Sequence, residues 1–239
     1  MSGKLYVHSI ETLGALDGPG LRTVVFMPGC PLRCRYCHNA DMLSSGAAKG
    51  QYSAAELYDK IIRFKEYYGK SGGVTASGGE PLLQAEALTP LFQRLQAAGV
   101  NTALDTAGSI LNYDVKNLLR YTDCVILDIK HTDADAYDDL CGLQKGAGIY
   151  EKVLAFADYC ATEKKRLWLR QVIVPGINDN KEQVLRFKGL SRKYNAERVE
   201  VLAYHTMGVQ KWQKAGLDYT LKDIPPMSEE KLNALRKLV

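Results

Sequence analysis

Short apolar runs alternate with longer amphipathic stretches along the whole chain. The runs are rich in β-branched residues and have the length of buried strands, so we predict six strands. They cover residues 23–27, 73–76, 102–104, 124–127, 167–174 and 199–202. Because most of these runs are followed by a stretch with helical periodicity, strand and helix alternate from one end to the other.

The predicted helices have recognisable ends. Ser53 begins the first one, since Glu56 three residues later completes a capping box. A helix over 85–98 ends at Gly99, which is suited to the carboxyl-terminal cap, and Ser228 can cap the last helix. Further helices are predicted over 113–119, 133–141, 150–164 and 181–194.

This alternation predicts the fold class. Nearly continuous apolar strands between helices are typical of a parallel sheet covered by helices. An eight-unit barrel of this kind takes about 250 residues, so six strand–helix units with their loops fit the 239 residues of the chain. No Pro-, Gly- or Ser-rich linker divides the sequence. We therefore predict a single α/β domain over 1–239, built as a partial (β/α)6 TIM-like barrel of parallel strands.

Composition and charge exclude several classes of protein. With 46% hydrophobic and 24% charged residues, the chain has ordinary globular composition and is neither disordered, collagenous nor coiled coil. No apolar run reaches the roughly 20 residues of a membrane helix, and the start of the chain lacks the apolar core of a signal peptide. A net charge of +4, scattered along the chain, does not favour nucleic acid. We expect a cytoplasmic protein with no membrane and no nucleic acid partner.

Unusual polar residues stand directly after the predicted strands. The carboxyl ends of parallel strands lie at one face of an α/β fold, where binding and catalytic sites gather. The cysteine-rich loop after the first strand reaches the same face. The other polar residues at strand ends are Gly78, Gly79, Glu80, Asp105, Thr106, Asp128, Lys130, Tyr204 and His205.

Three of the six cysteines form a tight cluster, Cys30-x-x-x-Cys34-x-x-Cys37. In a chain without signs of secretion this spacing indicates a metal site rather than disulfides. A structural zinc ion needs four closed ligands, and the fourth would have to come from afar, for example from His205. An iron–sulfur cluster held by only three thiolates leaves one iron open, which suits a catalyst that binds its substrate there.

The remaining cysteines do not have the spacing for a second cluster. Cys124 begins a predicted strand, and Cys160 continues an apolar helical stripe with Val153 and Phe156, so both are interpreted as small buried hydrophobic residues. Cys141 has no evident role in the sequence.

The segment CPLRCRYC at 30–37 resembles the cluster loop of the radical S-adenosylmethionine (SAM) enzymes, including the aromatic Tyr36 before the last cysteine. Within that superfamily the chain is similar to the pyruvate formate-lyase activating family over nearly its whole length. The extra cysteine-rich, ferredoxin-like insert of other glycyl radical activases is missing. Pro81 and Ala107 depart mildly from the family pattern. The matching segments are DGPGLR at 17–22, YCHN at 36–39, TASGGEP at 75–81, LDTAG at 104–108, LDIK at 127–130, VPG at 174–176 and YH at 204–205.

The resemblance implies a radical SAM core and a reaction. In this family a reduced 4Fe–4S cluster gives one electron to SAM, the sulfur–carbon bond to the 5′ carbon breaks, and the 5′-deoxyadenosyl radical takes a hydrogen from a glycine of the partner enzyme. The implied partners are the glycyl radical domain of pyruvate formate-lyase and, as electron donor, flavodoxin or ferredoxin. We expect a monomer. The alternatives are an activase of a different glycyl radical enzyme and, in a different class, a zinc-stabilised binding module without catalysis.

The same resemblance implies residue roles. Cys30, Cys34 and Cys37 would hold the cluster. Contacts to SAM would come from Tyr36, His38, Gly78, Gly79, Glu80, Asp128, Ile129, Lys130 and His205. For several of these the plainer interpretations are a loop anchor, an ordinary turn, a solvated ion pair and a structural histidine.

Two further groups are less specific. Oxygen atoms of Asp105, Thr106 and Asp128 are candidate ligands for a monovalent cation, and a simple cap for the next element explains the first two equally well. Asp17 and Gly18 look like the loop that meets the glycine-bearing peptide, although their composition alone indicates only a turn. Arg170 on the long strand can bind a peptide carbonyl or carboxylate, or form a surface ion pair.

Overall fold

A computed structural model gives the fold and describes residues 3–239. Met1 and Ser2, which belong to the start assessed above for a signal peptide, lie outside the described residues. The strands are β1 (Leu5–Val7), β2 (Ser9–Gly14), β3 (Arg22–Met27), β4 (Gly50–Tyr52), β5 (Gly73–Gly78), β6 (Asn101–Thr106), β7 (Cys124–Asp128), β8 (Arg166–Ile173) and β9 (Arg198–Ala203). The α-helices are α1 (Ala54–Ile61), α2 (Lys65–Tyr68), α3 (Ala85–Ala97), α4 (Tyr113–Arg120), α5 (Ala134–Leu140), α6 (Ile149–Thr162), α7 (Lys181–Lys193), α8 (Val209–Lys214) and α9 (Glu229–Arg236).

The strands form a mostly parallel sheet, as predicted. Their order is β2-β3-β5-β6-β7-β8-β9, and β1 pairs separately with β4. Parallel registers join β3 to β5, with Val24 beside Thr75, β5 to β6, and β8 to β9. Strand β2, at the edge of the seven, pairs antiparallel to β3, with Ser9 opposite Phe26. The carboxyl ends of β3, β5 and β6 therefore share one edge.

The chain forms two compact units. Of the described residues, the first comprises 3–31 and Met42–Ile126, and the second comprises Leu32–Asp41 and Leu127–Val239. The cysteine loop is shared between them in sequence, since Cys30 belongs to the first unit and Cys34 and Cys37 belong to the second.

In the first unit, helices cover strands that are buried along their length. Ser53 caps α1 with the predicted capping box, and Leu57 and Ile61 are buried beneath it. Helix α3 ends where predicted, before Gly99 in the left-handed region at φ 72°. The core of this unit is formed by Val24, Val74, Ala76, Leu88, Leu91, Phe92, Leu95, Ala103, Val115 and Leu118.

In the second unit, three of the helices begin at a polar cap. The side chains of Asp133, Asn180 and Ser228 accept backbone hydrogen bonds at the starts of α5, α7 and α9. The apolar stripe predicted for α6 is buried, and Cys160 at its end is fully enclosed, as expected for a small hydrophobic residue.

The predicted strands and long helices are confirmed, with ends shifted by one or two residues. Three strands were not predicted: β1, β2 and β4. They are short or lie at a sheet edge, where one exposed face removes the continuous apolar signal. The six-residue helix α8 was also missed, because its lysine- and glutamine-rich sequence has little apolar periodicity. Within residues 3–239, no helix combines the length and apolarity needed to cross a lipid bilayer.

Candidate functional site

The cysteine loop leaves β3 without regular structure, as its prolines and glycines predict. At its base, Gly29 N–H donates to Met42 O at 2.8 Å and Cys30 N–H donates to Leu43 O at 3.2 Å. None of the six cysteines is part of a disulfide, and Cys30, Cys34 and Cys37 are the partly exposed ones. The loop thus carries three reduced thiols.

The second half of the loop forms a tight turn. Cys37 N–H donates to Cys34 O at 3.0 Å, so the two thiols leave the same turn. Helix α8, the one missed in the sequence, holds this turn through Trp212, whose Nε1–H donates to Cys37 O at 2.8 Å. Lys211 beside it makes an ion pair with Asp41 at 3.3 Å.

The two thiols of this turn differ in acidity. A hydrogen bond from the Cys141 thiol and the positive charge of Lys130 lower the pKa of Cys34 to about 7, against the opposing effect of burial. Burial raises the pKa of Cys37 to about 11. Cys34 is therefore the thiol that loses its proton more readily, as a ligand for iron must.

The donor set fits an iron–sulfur cluster. Iron in such clusters is bound by thiolates, and the loop offers three of them with an irregular backbone around them. Among residues 3–239, no three His, Cys, Asp or Glu side chains lie close enough together to hold a metal ion as they stand. The loop is thus a source of ligands by its chemistry and spacing rather than a closed cage, which is what zinc requires.

Tyr36, Asp128 and Lys130 lie together in the second unit. Lys130 Nζ is 2.6 Å from Asp128 Oδ2 and 5.8 Å from the centroid of the Tyr36 ring. Burial alone would lower the pKa of Lys130, but the Asp128 carboxylate holds it well above its usual value, so the ammonium stays charged. The lysine side chain is only 10% exposed, so this is not a solvated surface pair.

Three polar atoms of the second unit are buried without a hydrogen-bond partner. In the described part of the chain, Tyr36 Oη, Asp128 Oδ1 and His205 Nδ1 make no hydrogen bond. Buried polar groups are nearly always paired, so such atoms indicate a polar ligand. Ile129 between the two charged residues is fully buried, and its N–H donates to Arg170 O at 2.8 Å.

His38 and His205 stack on each other. Their ring centroids are 3.9 Å apart with an interplanar angle of 18°, and His38 Nε2 lies 3.1 Å from His205 O. Burial, and then the neighbouring His205, lowers the pKa of His38, so its ring is neutral at pH 7. The stack joins the end of the cysteine turn to the residues that follow β9.

In the first unit, the glycine turn after β5 lies against the base of the cysteine loop. Gly79 N–H donates to Met27 O and Glu80 N–H donates to Gly29 O, both at 2.8 Å. A side chain on Gly79 would collide with Gly29 O, so only glycine permits this approach. The turn is therefore fixed next to the segment that carries Cys30.

The Glu80 carboxylate joins this turn to the end of β6. It accepts the Thr106 hydroxyl at 2.6 Å, Ala107 N–H at 3.0 Å and Leu82 N–H at 3.1 Å. Asp105 Oδ2 accepts the Ser77 hydroxyl at 2.8 Å. The next helix is capped by Asn112, so neither Asp105 nor Thr106 serves as the helix cap that the sequence left open.

The residues considered for the peptide lie in different units. Asp17 O accepts the Thr75 hydroxyl at 2.7 Å, and Gly18 adjoins it in the turn before β3, with φ 133°. Arg170 belongs to the second unit, where its Nε is 3.0 Å from Glu200 Oε2. Both side chains of this pair are nearly buried, at 12% and 13% exposure, so it is not a surface pair.

Three neighbours of these residues had not been assigned a role from the sequence: Arg22, Cys141 and Trp212. A charged residue at the start of an apolar strand was a signal for Arg22. Nothing in the local sequence marks Cys141 or Trp212, since their positions depend on contacts with distant segments.

Comparisons with known proteins agree with this geometry. Residues 16–141 match the family described as a 4Fe-4S single cluster domain. A protein of Clostridium pasteurianum named pyruvate formate-lyase-activating enzyme is 44% identical over 234 residues, which cover 97% of this chain and 95% of that protein.

Two solved structures share the fold at low identity. Streptococcus suis SuiB bound to S-adenosylmethionine superposes with a TM-score of 0.64 at 17% identity over 90% of this chain, which spans about half (48%) of SuiB. A radical SAM methyltransferase from Sphaerobacter thermophilus has a TM-score of 0.62 at 16% identity over 91% of this chain and 63% of its own. They confirm the predicted α/β class of the radical SAM core. Because the Clostridium protein matches nearly the whole chain at 44% identity, the chain belongs to the family of pyruvate formate-lyase-activating enzymes.

Proposed function

We propose that this chain activates pyruvate formate-lyase by forming a glycyl radical on it, using a 4Fe–4S cluster and SAM. The observation that carries the proposal is the loop of three reduced cysteines, whose base contacts the Gly79 turn and whose end is held by the His38–His205 stack. When bound, the cluster and SAM supply a one-electron reductive cleavage that removes a hydrogen atom from a glycine.

Cys30, Cys34 and Cys37 hold the cluster and leave one iron for SAM. The hydrogen bonds of Gly29 and Cys30 fix the start of the loop, and Trp212 fixes its end at Cys37. These contacts are made by backbone atoms of the loop, so they do not involve the thiols that would bind iron.

Each unit carries residues that we expect to contact SAM. In the second unit, Tyr36, His38 and His205 provide aromatic surface, and Lys130 offers a buried positive charge that suits the carboxylate of SAM. Asp128 Oδ1 and His205 Nδ1 have no hydrogen-bond partner and can bind a polar ligand. Ile129, between Asp128 and Lys130, fixes the backbone there through its hydrogen bond to Arg170 O. In the first unit, Gly78, Gly79 and Glu80 would contact SAM through backbone carbonyl groups, because the N–H groups of Gly79 and Glu80 already donate within the unit and the Glu80 carboxylate is occupied by Thr106 and Ala107.

Asp105, Thr106 and Asp128 remain the candidate ligands of a monovalent cation. Thr106 Oγ1 donates to Glu80 and accepts from Gly108 N–H, so one lone pair of this oxygen remains to bind a cation. We expect SAM binding to depend on the identity of the monovalent salt if this site exists, measured by titrating SAM in potassium and in sodium buffers.

The remaining expectations concern the partners. We expect Asp17, Gly18 and Arg170 to contact the glycine-bearing peptide of pyruvate formate-lyase, and flavodoxin or ferredoxin to supply the electron. The chain would act in the cytoplasm as a monomer, with residues 1–239 working as one domain. A flavodoxin or ferredoxin that supports activity in place of a chemical reductant would support the electron donor.

Cysteine variants test the cluster. We expect Cys30→Ala, Cys34→Ala and Cys37→Ala, prepared without oxygen, to lose the bound iron and sulfide and the electron paramagnetic resonance signal of the reduced cluster. Cys160→Ala is the matched control: it also removes a thiol, costs about 1 kcal/mol of stability and keeps the cluster. A full cluster in Cys34→Ala overturns the ligand assignment. Zinc in place of iron in the wild type would favour the zinc-stabilised binding module.

A mixing experiment tests the substrate. The reconstituted chain is combined with pyruvate formate-lyase, SAM and a reductant, and the glycyl radical signal is followed by electron paramagnetic resonance. We expect the signal with the wild type and its absence with Cys34→Ala. SAM cleavage without a signal on pyruvate formate-lyase, and a signal on a different glycyl radical enzyme, would assign the chain to that other partner.

A further inference from the structure

The Glu200 carboxylate is shared by two arginine side chains. The parallel register of β8 and β9 places Arg170 beside Glu200, and Arg170 Nε lies 3.0 Å from Glu200 Oε2. The other carboxylate oxygen, Oε1, lies 2.9 Å from Arg198 Nε. Each oxygen therefore has its own arginine, and the carboxylate is fixed from two sides.

The two arginines have different surroundings. The side chain of Arg198 is 57% exposed, and its guanidinium carbon lies 4.6 Å from the centroid of the buried Trp168 ring, so a cation–π contact holds it in place at the surface. The side chains of Arg170 and Glu200 are only 12% and 13% exposed. Arg198 thus anchors Glu200 from the solvent side, and Glu200 in turn holds the enclosed Arg170.

Arg170 lies at the level where the neighbouring strand β7 ends. Its backbone O accepts Ile129 N–H at 2.8 Å, and Ile129 directly follows Asp128, the last residue of β7. The next residue, Lys130, forms the ion pair with Asp128 that we expect to contact SAM. Glu200 therefore fixes an arginine on the strand that adjoins this pair.

The contact at Nε controls the orientation of the Arg170 guanidinium. Nε is the guanidinium nitrogen nearest the main chain, and the group is a planar fork whose donor directions are fixed relative to Nε–H. A carboxylate held at Nε therefore restricts the rotation of the whole fork. An arginine that is already ordered loses less conformational entropy when it binds an oxygen acceptor, so its affinity for that acceptor increases.

We propose that Glu200 is a positioning residue: it orients Arg170 so that the guanidinium donates to a backbone carbonyl of the glycine-bearing peptide, and Arg198 anchors it. Backbone carbonyls flank every glycine of a peptide, so they are the acceptors that lie near the reacting carbon. The proposal rests on the proposed function, in which Arg170 contacts that peptide. It assigns Glu200 and Arg198 to recognition of the partner enzyme rather than to the cluster or SAM.

The chain offers a matched control at the other end of the same two strands. Arg166 begins β8 and Glu197 directly precedes β9, and two bonds of 2.7 and 2.8 Å join their side chains. These side chains are 46% and 44% exposed, so the pair is a surface ion pair of little energetic weight. Glu197→Gln therefore removes the same charge from the same kind of pair without altering the contact of Arg170.

The test measures partner recognition and SAM binding separately. Each full chain is reconstituted with its cluster without oxygen. The initial rate of glycyl radical formation is then followed by electron paramagnetic resonance at increasing concentrations of pyruvate formate-lyase, with saturating SAM and reductant. We expect Glu200→Gln to raise the KM for pyruvate formate-lyase about tenfold, because the arginine fork is no longer oriented. Its Kd for SAM, from equilibrium titration, should change much less, and Glu197→Gln should keep a KM near that of the wild type.

A double variant tests whether Glu200 acts through Arg170. Arg170→Met removes the guanidinium and should raise the KM at least as much as Glu200→Gln does. In the Arg170→Met background, Glu200→Gln should then produce no further rise. Arg198→Met changes an exposed side chain and keeps an apolar contact with Trp168, so the fold should tolerate it. It loosens Glu200 without removing it and should raise the KM about threefold.

The possible failures have different meanings. An unchanged KM in Glu200→Gln, an equal weakening of SAM binding in that variant, or independent effects of Glu200→Gln and Arg170→Met each overturn the inference and leave the proposed function intact. If Glu200→Gln does not fold, an unchanged KM in Arg198→Met overturns the inference instead. An unchanged KM in Arg170→Met overturns the peptide contact of Arg170, and the inference is lost with it. The absence of a glycyl radical with the wild type overturns the proposed function itself.

Discussion

The imidazole ring of His38 lies flat against that of His205, with 3.9 Å between the ring centroids. His38 directly follows the last cysteine of the loop, and His205 follows β9. A second contact joins them, since His38 Nε2 is 3.1 Å from the backbone oxygen of His205. We expect this stack to offer the adenine of SAM an aromatic edge, and we therefore expect SAM affinity to depend on the ring at position 205.

Substitutions at His205 change the ring stack but keep the backbone oxygen that contacts His38, so they measure the contribution of the ring alone. We expect His205→Ala to weaken SAM binding by about 1 kcal/mol, or roughly fivefold in Kd, because an aromatic contact is lost. His205→Phe keeps a ring in the stack and should lose less. Equilibrium titration of the reconstituted chain with SAM measures both. Equal losses in the two variants would assign the effect to the ring nitrogen atoms, and unchanged affinity in the alanine variant would contradict a role for the stack.

Arg22 holds the turn that contains Asp17 and Gly18. Its guanidinium is fully buried, and it donates to Thr75 Oγ1 and Pro19 O at 2.7 Å, to Val74 O at 2.8 Å and to Asn101 Oδ1 at 3.0 Å. We expect Arg22→Met to lower the free energy of unfolding by about 3 kcal/mol, because it leaves several buried acceptors without a donor. Denaturant unfolding measures this.

The control for this change is Arg63→Met, which alters an exposed arginine in the same unit. It should change the free energy of unfolding by less than about 0.5 kcal/mol. Equal stability of the two variants would show that the buried network around Arg22 contributes little.

Local signals explain what could be predicted of the fold. The capping box of Ser53 and Glu56, the cap at Ser228 and the left-handed Gly99 act within a few residues of the chain, so the sequence shows them directly. Strands β1 and β4 pair only with each other across a long stretch of sequence, from Leu5 to Tyr52. Such pairing depends on distant partners, and three-residue strands carry no periodic pattern of their own.

The candidate site also has features that local sequence signals predict and features that depend on distant contacts. The rule that polar residues gather at the carboxyl ends of parallel strands located Glu80, Asp105, Thr106 and Asp128, because it depends on strand direction alone. It could not show that Glu80 and Thr106 are bonded to each other, nor that Arg33 beside Cys34 donates its N–H to Cys141 O. These relationships depend on which residues face each other after folding, and no spacing along the chain encodes them.

His131 makes the stability of the second unit depend on pH. Burial lowers the pKa of its imidazole, and Nδ1 accepts Asp133 N–H at 3.0 Å, so the folded state holds the neutral ring. The unfolded chain takes up a proton below about pH 6.5, so stability falls as the pH decreases through that range. We expect the melting temperature to drop between pH 7.5 and pH 5.5, and His131→Asn, which keeps an acceptor, to reduce the drop.

The melting temperatures of both proteins are compared at several pH values, each relative to its own value at pH 7.5. His38 also has a lowered pKa, so part of the drop should remain in the variant. A drop as large as that of the wild type would contradict the assignment to His131.

Glu80 and Thr106 should behave as a coupled pair. The carboxylate accepts three hydrogen bonds, from the Thr106 hydroxyl and from the N–H groups of Leu82 and Ala107. Glu80→Gln replaces one acceptor oxygen with a donor that faces another donor, so we expect a loss of about 1–3 kcal/mol in the free energy of unfolding. Thr106→Val should lower the free energy of unfolding by about 1 kcal/mol.

Because both changes break the same hydrogen bond, the double variant should lose less stability than the sum of the two single losses. Denaturant unfolding of the four proteins measures the coupling, and strictly additive losses would show that the 2.6 Å contact contributes no energy of its own.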